Sequence, residues 1–186
     1  VPVSINKVRS GLTILLDTQV YVVLECQHVK PGKGGAFVRT KLRNLKDGKI
    51  LEKTFKGDQT IEVAFIEAKR LQYLFRSAKI YNFIDQESFD ELSISEDILG
   101  ENAKFLKDNL PITAYFYKED ILNVTLPNFI EVKVVQTEPG LRGNTVGTAM
   151  KSATLETGAT VQVPSFIKEN DLIKVDTRSG EYVERV

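Results

Sequence analysis

Tyr21-Val22-Val23-Leu24-Glu25-Cys26, then Lys30-Pro31-Gly32-Lys33-Gly34-Gly35, then Phe37-Val38-Arg39-Thr40-Lys41-Leu42-Arg43: these three consecutive stretches decide how the chain is read. The first is rich in β-branched and aromatic residues and the third alternates, so the two predict strands joined through a short Pro/Gly segment, a hairpin. Pro31 fixes one φ angle, and glycines accept turn conformations closed to other residues. With no Cβ at 32, 34 or 35, the loop is thin enough to enter a narrow crevice, and Lys33 is the long cation offered at its end. The residues alone leave two readings: a device that presents Lys33, or a solvated turn with an ordinary surface lysine. A phosphate-binding P-loop does not fit, because that motif needs Gly-Lys-Ser/Thr followed by a helix, and here Gly34 follows Lys33 ahead of a strand-like run.

Outward from the hairpin, strands continue in both directions. Leu12 to Leu16 ends at Asp17-Thr18, and Lys49 to Phe55 follows a turn at Lys46-Asp47-Gly48. Strands with turn signals about ten residues apart predict a small barrel. Alternation in the second arm places Val38, Thr40 and Leu42 on one face and Phe37, Arg39, Lys41 and Arg43 on the other. Three cations on one strand face make a basic stripe running back from the tip. A solvated face is the competing reading.

The middle third opens near Ile61-Glu62-Val63. Gln72 to Phe75 and Ala78 to Ile84 read as strands paired across Arg76-Ser77, Ser95 to Gly100 and Asn102 to Lys107 as two short helical pieces, and Ile112 to Tyr117 with Ile121 to Leu126 as a hairpin. Strands with a small helical insertion fit an oligonucleotide/oligosaccharide-binding (OB) barrel. Tyr73, Phe75, Tyr81 and Phe83 could stack bases, but are expected in the core. After Pro127-Asn128 the pattern repeats in kind, with strands at Phe129 to Val135, Thr160 to Pro164, Leu172 to Asp176 and Glu181 to Val186. The expectation is an all-β chain of three small barrels, at 1–62, 63–127 and 128–186.

Net charge is zero, so no bulk electrostatic argument for nucleic acid exists; the distribution says more. Residues 1–62 hold 11 Lys/Arg against 6 Asp/Glu, 63–127 hold 7 against 11, and 128–186 hold 7 against 8. Only the first third is basic, and a locally basic segment can bind phosphates within a neutral protein. The single cysteine, Cys26, is expected to be a buried, inert thiol. The single histidine, His28, has no Cys or His cluster in sequence, and no paired carboxylates have motif context, so neither a metal site, a cofactor nor an enzyme activity is expected. No apolar run reaches transmembrane or signal-peptide form, so a cytoplasmic, membrane-free protein is expected.

His28-Val-Lys-Pro-Gly-Lys-Gly-Gly-Ala-Phe-Val-Arg39, with Lys41 to Leu45 after it, resembles the domain I tip of bacterial elongation factor P. Lys151 to Ala153, Gly158, Val161, Val163-Pro164 and Ile167, followed by Asp176-Thr-Arg-Ser-Gly-Glu-Tyr-Val183, resemble that family's C-terminal signature and its end. The resemblance spans the chain and implies a KOW-like (SH3-like) first domain and two OB domains in an L-shaped, tRNA-like arrangement. It implies a monomer that binds the ribosome between the P and E sites and rescues stalling on proline-rich peptides. Lys33 would reach the CCA end of P-site tRNA and be the target of a lysine-modifying enzyme. Lys30, Pro31, Gly32, Gly34 and Gly35 would form the tip, and Arg39, Lys41 and Arg43 would meet rRNA or tRNA phosphates. Tyr182 and Arg185 would meet the P-site tRNA stem, and Gly143, Asn144 and Thr145 the E-site mRNA codon. Asn170 stands where the signature has glycine, and Asn144 where the mRNA-facing loop has an acid. The intact Pro-Gly-Lys-Gly tip favours the main family over its elongation-factor-P-like paralogue; a generic single-stranded RNA-binding OB protein is the alternative of another class.

Overall fold

The computed structural model describes residues 2–30, 32, 35–57, 59–137 and 150–186. Sixteen strands form three sheets among these residues. The first holds β1 (Pro2–Ser4), β2 (Thr13–Leu16), β3 (Gln19–Val29), β4 (Phe37–Asn44), β5 (Ile50–Lys56) and β6 (Thr60–Val63), in the order β1-β6-β2-β3-β4-β5. Ile5, Val8, Ile14, Val23, Val38, Leu42, Phe55 and Ile61 close its core. The strand at Ile61 to Val63 therefore does not open the central domain. It pairs with β1 and β2, Ile61 opposite Val3 and Val63 opposite Ile14, because Ile61 completes the first core.

The second sheet runs β11-β10-β7-β8-β9, from β7 (Glu67–Ser77), β8 (Ile80–Asp85), β9 (Glu91–Ser95), β10 (Pro111–Tyr117) and β11 (Asp120–Thr125). The turn between β7 and β8 is Ala78-Lys79 rather than Arg76-Ser77: Ser77 pairs with Ile80, and Ala78 takes φ 54°. A bulge separates the pair Tyr73–Phe83 from Phe75–Asn82, leaving Leu74 extra. An extra residue turns the rest of a strand over. Tyr73, Tyr81 and Phe83 are accordingly buried, as expected, whereas Phe75 is 57% exposed and is not a core residue. The two helical pieces are present as expected: α1 (Glu96–Leu99) is capped by Gly100, at φ 53°, and a 3-10 turn follows over Gly100–Phe105.

The third sheet runs β14-β13-β12-β15-β16, from β12 (Phe129–Thr137), β13 (Met150–Leu155), β14 (Thr160–Pro164), β15 (Leu172–Asp176) and β16 (Glu181–Arg185). The alternation in β12 buries Ile130, Val132 and Val134. Asn170 occupies the left-handed region at φ 71° and donates its N–H to the Val134 carbonyl, so asparagine serves where glycine was expected. By compactness the chain forms two units, Val1–Ala68 with Tyr115–Asn123, and Lys69–Ala114 with Val124–Val186.

One hairpin loop recurs in all three sheets. A first residue with a side-chain carbonyl or carboxylate accepts backbone N–H bonds from the turn, and the fifth residue, in the left-handed region, donates its N–H back to the first. Asn44 accepts from Lys46 (2.8 Å) and Asp47, and Gly48 closes the loop at φ 72°. Asp85 accepts from Glu87 (2.8 Å) and Ser88, and Phe89 closes it at φ 62°. Asp176 accepts from Arg178 (2.9 Å), and Gly180 closes it at φ 73°. Each loop is thus closed by a backbone bond from the fifth residue to the first, with the fifth residue in the left-handed region.

Gly57 has a different cause. Its N–H donates to the Ala36 carbonyl at 2.7 Å, and a Cβ at 57 would meet that same oxygen at 2.7 Å. Cys26 is half-buried at the margin of the core rather than fully buried, its thiol donating to the Val8 carbonyl at 3.6 Å while His28 Nε2 lies 3.1 Å from the same oxygen.

Two predictions follow from these contacts. Gly57→Ala forces the backbone at Ala36 to shift, and overpacking of this kind costs about 1–3 kcal/mol; a thermal melt should show a lower midpoint, and an unchanged midpoint would mean that Ala36 yields freely. The Arg178 guanidinium, bonded to both Asp176 carboxylate oxygens, and its backbone N–H hold the Asp176 pKa down at about 2. A depressed folded-state pKa means the contribution to stability is complete above the ordinary carboxylate range and is lost as pH falls through about 2. In an NMR titration Asp176 should titrate near that value, and Arg178→Gln should raise it toward the ordinary range.

Candidate nucleic-acid interface

β3 and β4 pair from Tyr21 opposite Asn44 out to Val29 opposite Phe37, the last rung before the tip. Pro31, Lys33 and Gly34 lie outside the described residues, as do Gly143, Asn144 and Thr145. Lys30, Gly32 and Gly35 are exposed. A Cβ at Gly32 or Gly35 would meet nothing within 4 Å, and neither glycine takes a left-handed φ. The expectation that these turn glycines supply conformations closed to other residues therefore does not hold at 32 and 35.

The expected alternation along β4 is present. Val38, Thr40, Leu42 and Asn44 are buried, while Arg39 and Arg43 are exposed and Phe37 and Lys41 half-buried. Residues directly opposite across strands share a face, which fixes the surroundings of each cation. Phe37 stands opposite Lys56, and Arg39 between Gln27 and Thr54. Lys41 stands between Glu25 and Glu52, and Arg43 between Val22 and Ile50. Arg39 lies 5.4 Å from the centre of the Phe37 ring, a cation–π contact that orients it along the strand. Lys41 Nζ is 3.7 Å from Glu25 Oε1. Among the described residues, Arg39 and Arg43 make no ion pair. A shallow polar cleft of about 360 Å³ covers this face, lined by Glu25, Gln27, Arg39, Lys41, Glu52 and Thr54 among others.

The basic stripe is thus not uniformly basic. Lys41 is an internally compensated charge, though weakly so: both side chains of the Lys41–Glu25 pair are well exposed, and such pairs contribute little. Glu25 and Glu52 were missed because the strand pattern of one segment does not reveal its neighbours' register.

In the third sheet, Tyr182 stands opposite Val175 and Arg185 opposite Ile173, while Glu184 stands opposite Lys174. The bulge there leaves Val183 extra. Strict alternation would send residues three apart to opposite faces; the inserted residue instead puts Tyr182 and Arg185 on the same side of β16. Tyr182 is half-buried and Arg185 exposed. The Arg185 guanidinium lies 5.9 Å from the Phe166 ring centre and 3.9 Å from Asp171, which leaves it accessible. Among the described residues there is no group of His, Cys, Asp and Glu that could hold a metal ion, and no helix long and apolar enough to cross a membrane.

Comparison with known proteins agrees with this layout. The family model for the elongation factor P KOW-like domain matches residues 4–61, that for its OB domain residues 66–124, and that for its C-terminal domain residues 124–185. Elongation factor P of Natranaerobius thermophilus is 48% identical over 181 residues, 97% of this chain and 96% of the relative. That of Clostridium botulinum is 50% identical over 184 residues, 99% of this chain and the whole of the relative. Among solved structures, a eukaryotic translation initiation factor 5A from Methanococcus jannaschii superposes with a TM-score of 0.54 at 17% identity, covering 67% of this chain and 95% of that one; this likeness shows the fold alone. With three domain matches along the chain and near-half identity over its length, the chain belongs to the elongation factor P family of translation elongation factors.

Proposed function

We propose that this chain binds the ribosome between the P and E sites and promotes peptide-bond formation at proline-rich stalls, with Lys33 holding the CCA end of the P-site tRNA. The observation that carries the reading is the pairing of β3 and β4 up to the base of a glycine-rich tip, with Arg39 and Arg43 free of ion pairs among the described residues along the same strand. Proline is a rigid participant in peptide-bond formation, so its reactants sit badly. Holding one of them in a productive pose lowers the entropic part of the barrier without any acid or base from the factor. A lysine suits this work, as a compact cation on a flexible stem that seeks phosphate and hydroxyl oxygens.

On this reading Lys33 is also the site where a lysine-modifying enzyme lengthens the side chain, adding reach and donors. Arg39, Lys41 and Arg43 meet rRNA or tRNA phosphates, and Lys30 stands beside the reacting end. Tyr182 and Arg185 meet the tRNA stem, supported by their common side on β16, and Gly143 to Thr145 meet the E-site codon. The factor works as a monomer of three domains, divided near 62/63 and 127/128.

The test is Lys33→Ala. A loop substitution of this kind should change stability by no more than about 0.5 kcal/mol, yet rescue of a polyproline reporter in a translation assay should be lost. Full rescue by the variant would overturn the reading, and tight binding to bare single-stranded RNA with no need of Lys33 would favour the generic RNA-binding alternative. A second expectation concerns the flanking acids. Glu25→Gln with Glu52→Gln frees Lys41, so ribosome affinity should rise at low salt. The slope of log affinity against log salt should steepen by about 0.7–0.9, the value for one more neutralised phosphate. An unchanged slope would show that Lys41 does not face phosphate.

A further inference from the structure

Among the described residues of the third sheet and its loops, three cations lie against aromatic rings: Lys174 and Arg178 beside Phe129, and Arg185 beside Phe166. The first two are also held by carboxylates. Lys174 Nζ donates to Glu184 at 2.8 Å, and the Arg178 guanidinium donates to both oxygens of Asp176. Arg185 differs. Its carboxylate neighbour, Asp171, stands 3.9 Å away, too far for a hydrogen bond, and the guanidinium makes none among the described residues. Its side chain is 54% exposed. The donors of Arg185 are therefore free for another molecule while the group itself is flanked on two sides.

Both flanks come from one loop, between β14 and β15. Pro164 and Ile167 are buried, the Ile167 N–H donates to the Pro164 carbonyl at 3.0 Å, and the turn so closed holds Phe166 outward, 55% exposed. The ring adds little to the core, and its centre lies 5.9 Å from the Arg185 guanidinium. Further along, Asp171 Oδ2 accepts the Lys168 N–H at 2.8 Å, and the Asp171 N–H donates to the Lys168 carbonyl at 3.2 Å, which fixes the carboxylate. An arginine has much rotamer freedom to lose on binding, and a ring against the guanidinium removes part of that loss beforehand. A planar guanidinium stacked on one face still offers its N–H edge to a phosphate, two donors at once.

We infer that Phe166 is a positioning residue: it acts through Arg185, holding the guanidinium in the pose in which it meets an RNA phosphate. This rests on the reading of Arg185 as a contact to the tRNA stem, and adds a residue that the reading does not contain.

The experiment is a double-mutant cycle, read as rescue of a polyproline reporter while the concentration of the factor is varied. Phe166→Leu should leave the melting temperature unchanged and raise the concentration for half-maximal rescue about two- to fivefold, the range of a cation–π contact at an exposed site. Maximal rescue should stay the same, because Arg185 binds and does not react. Phe166→Tyr should restore the unaltered value. In an Arg185→Ala background, Phe166→Leu should add nothing. In the free protein, the Arg185 Hε resonance should move in Phe166→Leu, which removes the ring current, and stay in place in Phe166→Tyr. An unchanged half-maximal concentration for Phe166→Leu, a loss that only tracks unfolded protein, a fall in maximal rescue alone, or an Arg185 resonance indifferent to the ring would each overturn the proposal. So would an equal loss with and without Arg185, which makes the ring itself the contact. If Arg185→Ala rescues as the unaltered chain does, the tRNA-stem reading falls and this proposal with it. If Arg185→Ala weakens rescue and Phe166→Leu does not, only this proposal falls.

Discussion

The bulge at Leu24 is the constraint from which the arm's chemistry derives. Val23 pairs with Leu42 and Glu25 with Lys41, so one residue of β3 has no partner and the strand turns over at that point. Before the bulge, Val23 points into the core; after it, Cys26 and His28 share that side and Glu25 points out. Both outcomes matter. Cys26 and His28 converge on the Val8 carbonyl and tie the base of the arm to the segment after β1. Glu25 arrives beside Lys41, where with Glu52 it interrupts the cationic face with two acids against one lysine. A β3 without the bulge would place Glu25 toward the core, where a carboxylate without a partner is costly.

Bulges also mark where the sequence stopped being legible. Period-two patterning correctly read β4 and β12, whose buried residues alternate without interruption through Leu42 and Val134. It misplaced Phe75, because Leu74 is an extra residue and nothing in Tyr73-Leu74-Phe75 signals this. The expected division at 62/63 cuts β6 one residue short of its end, for a related reason: Ile61 and Val63 are apolar whichever core they join, and only long-range pairing with Val3 and Ile14 decides. The tip and the C-terminal signature were legible because they are local, being runs of particular residues rather than consequences of register. The compensating acids at 25 and 52 are the opposite case, since their meaning arises from two strands that flank Lys41 in space and lie on either side of it in sequence.

Charge counting by thirds is coarse for the same reason. The first third is basic in sum, yet its exposed cations differ: Arg39 is laid along Phe37, Arg43 is flanked by Val22 and Ile50, and Lys41 is bracketed by acids. The face therefore carries two exposed cations, Arg39 and Arg43, on either side of a position where two acids flank Lys41. In the third sheet, too, a bulge brings Tyr182 and Arg185 to one side and leaves Glu184 paired with Lys174, 2.8 Å apart, on the other.

The glycines separate what folding demands from what it does not. Gly48 and Gly180 are required by a left-handed φ, and Gly57 by a carbonyl 2.7 Å from where its Cβ would be. Gly32 and Gly35 meet neither condition: open space surrounds both, and neither takes a left-handed φ. Within the chain itself alanine would fit at either position, and by restricting the unfolded chain would stabilise it by about 0.4–1 kcal/mol. Their smallness is therefore not explained by the fold that carries them. It is explained if the tip enters a space whose walls belong to another molecule, where each missing methyl group is room for the approach of Lys33.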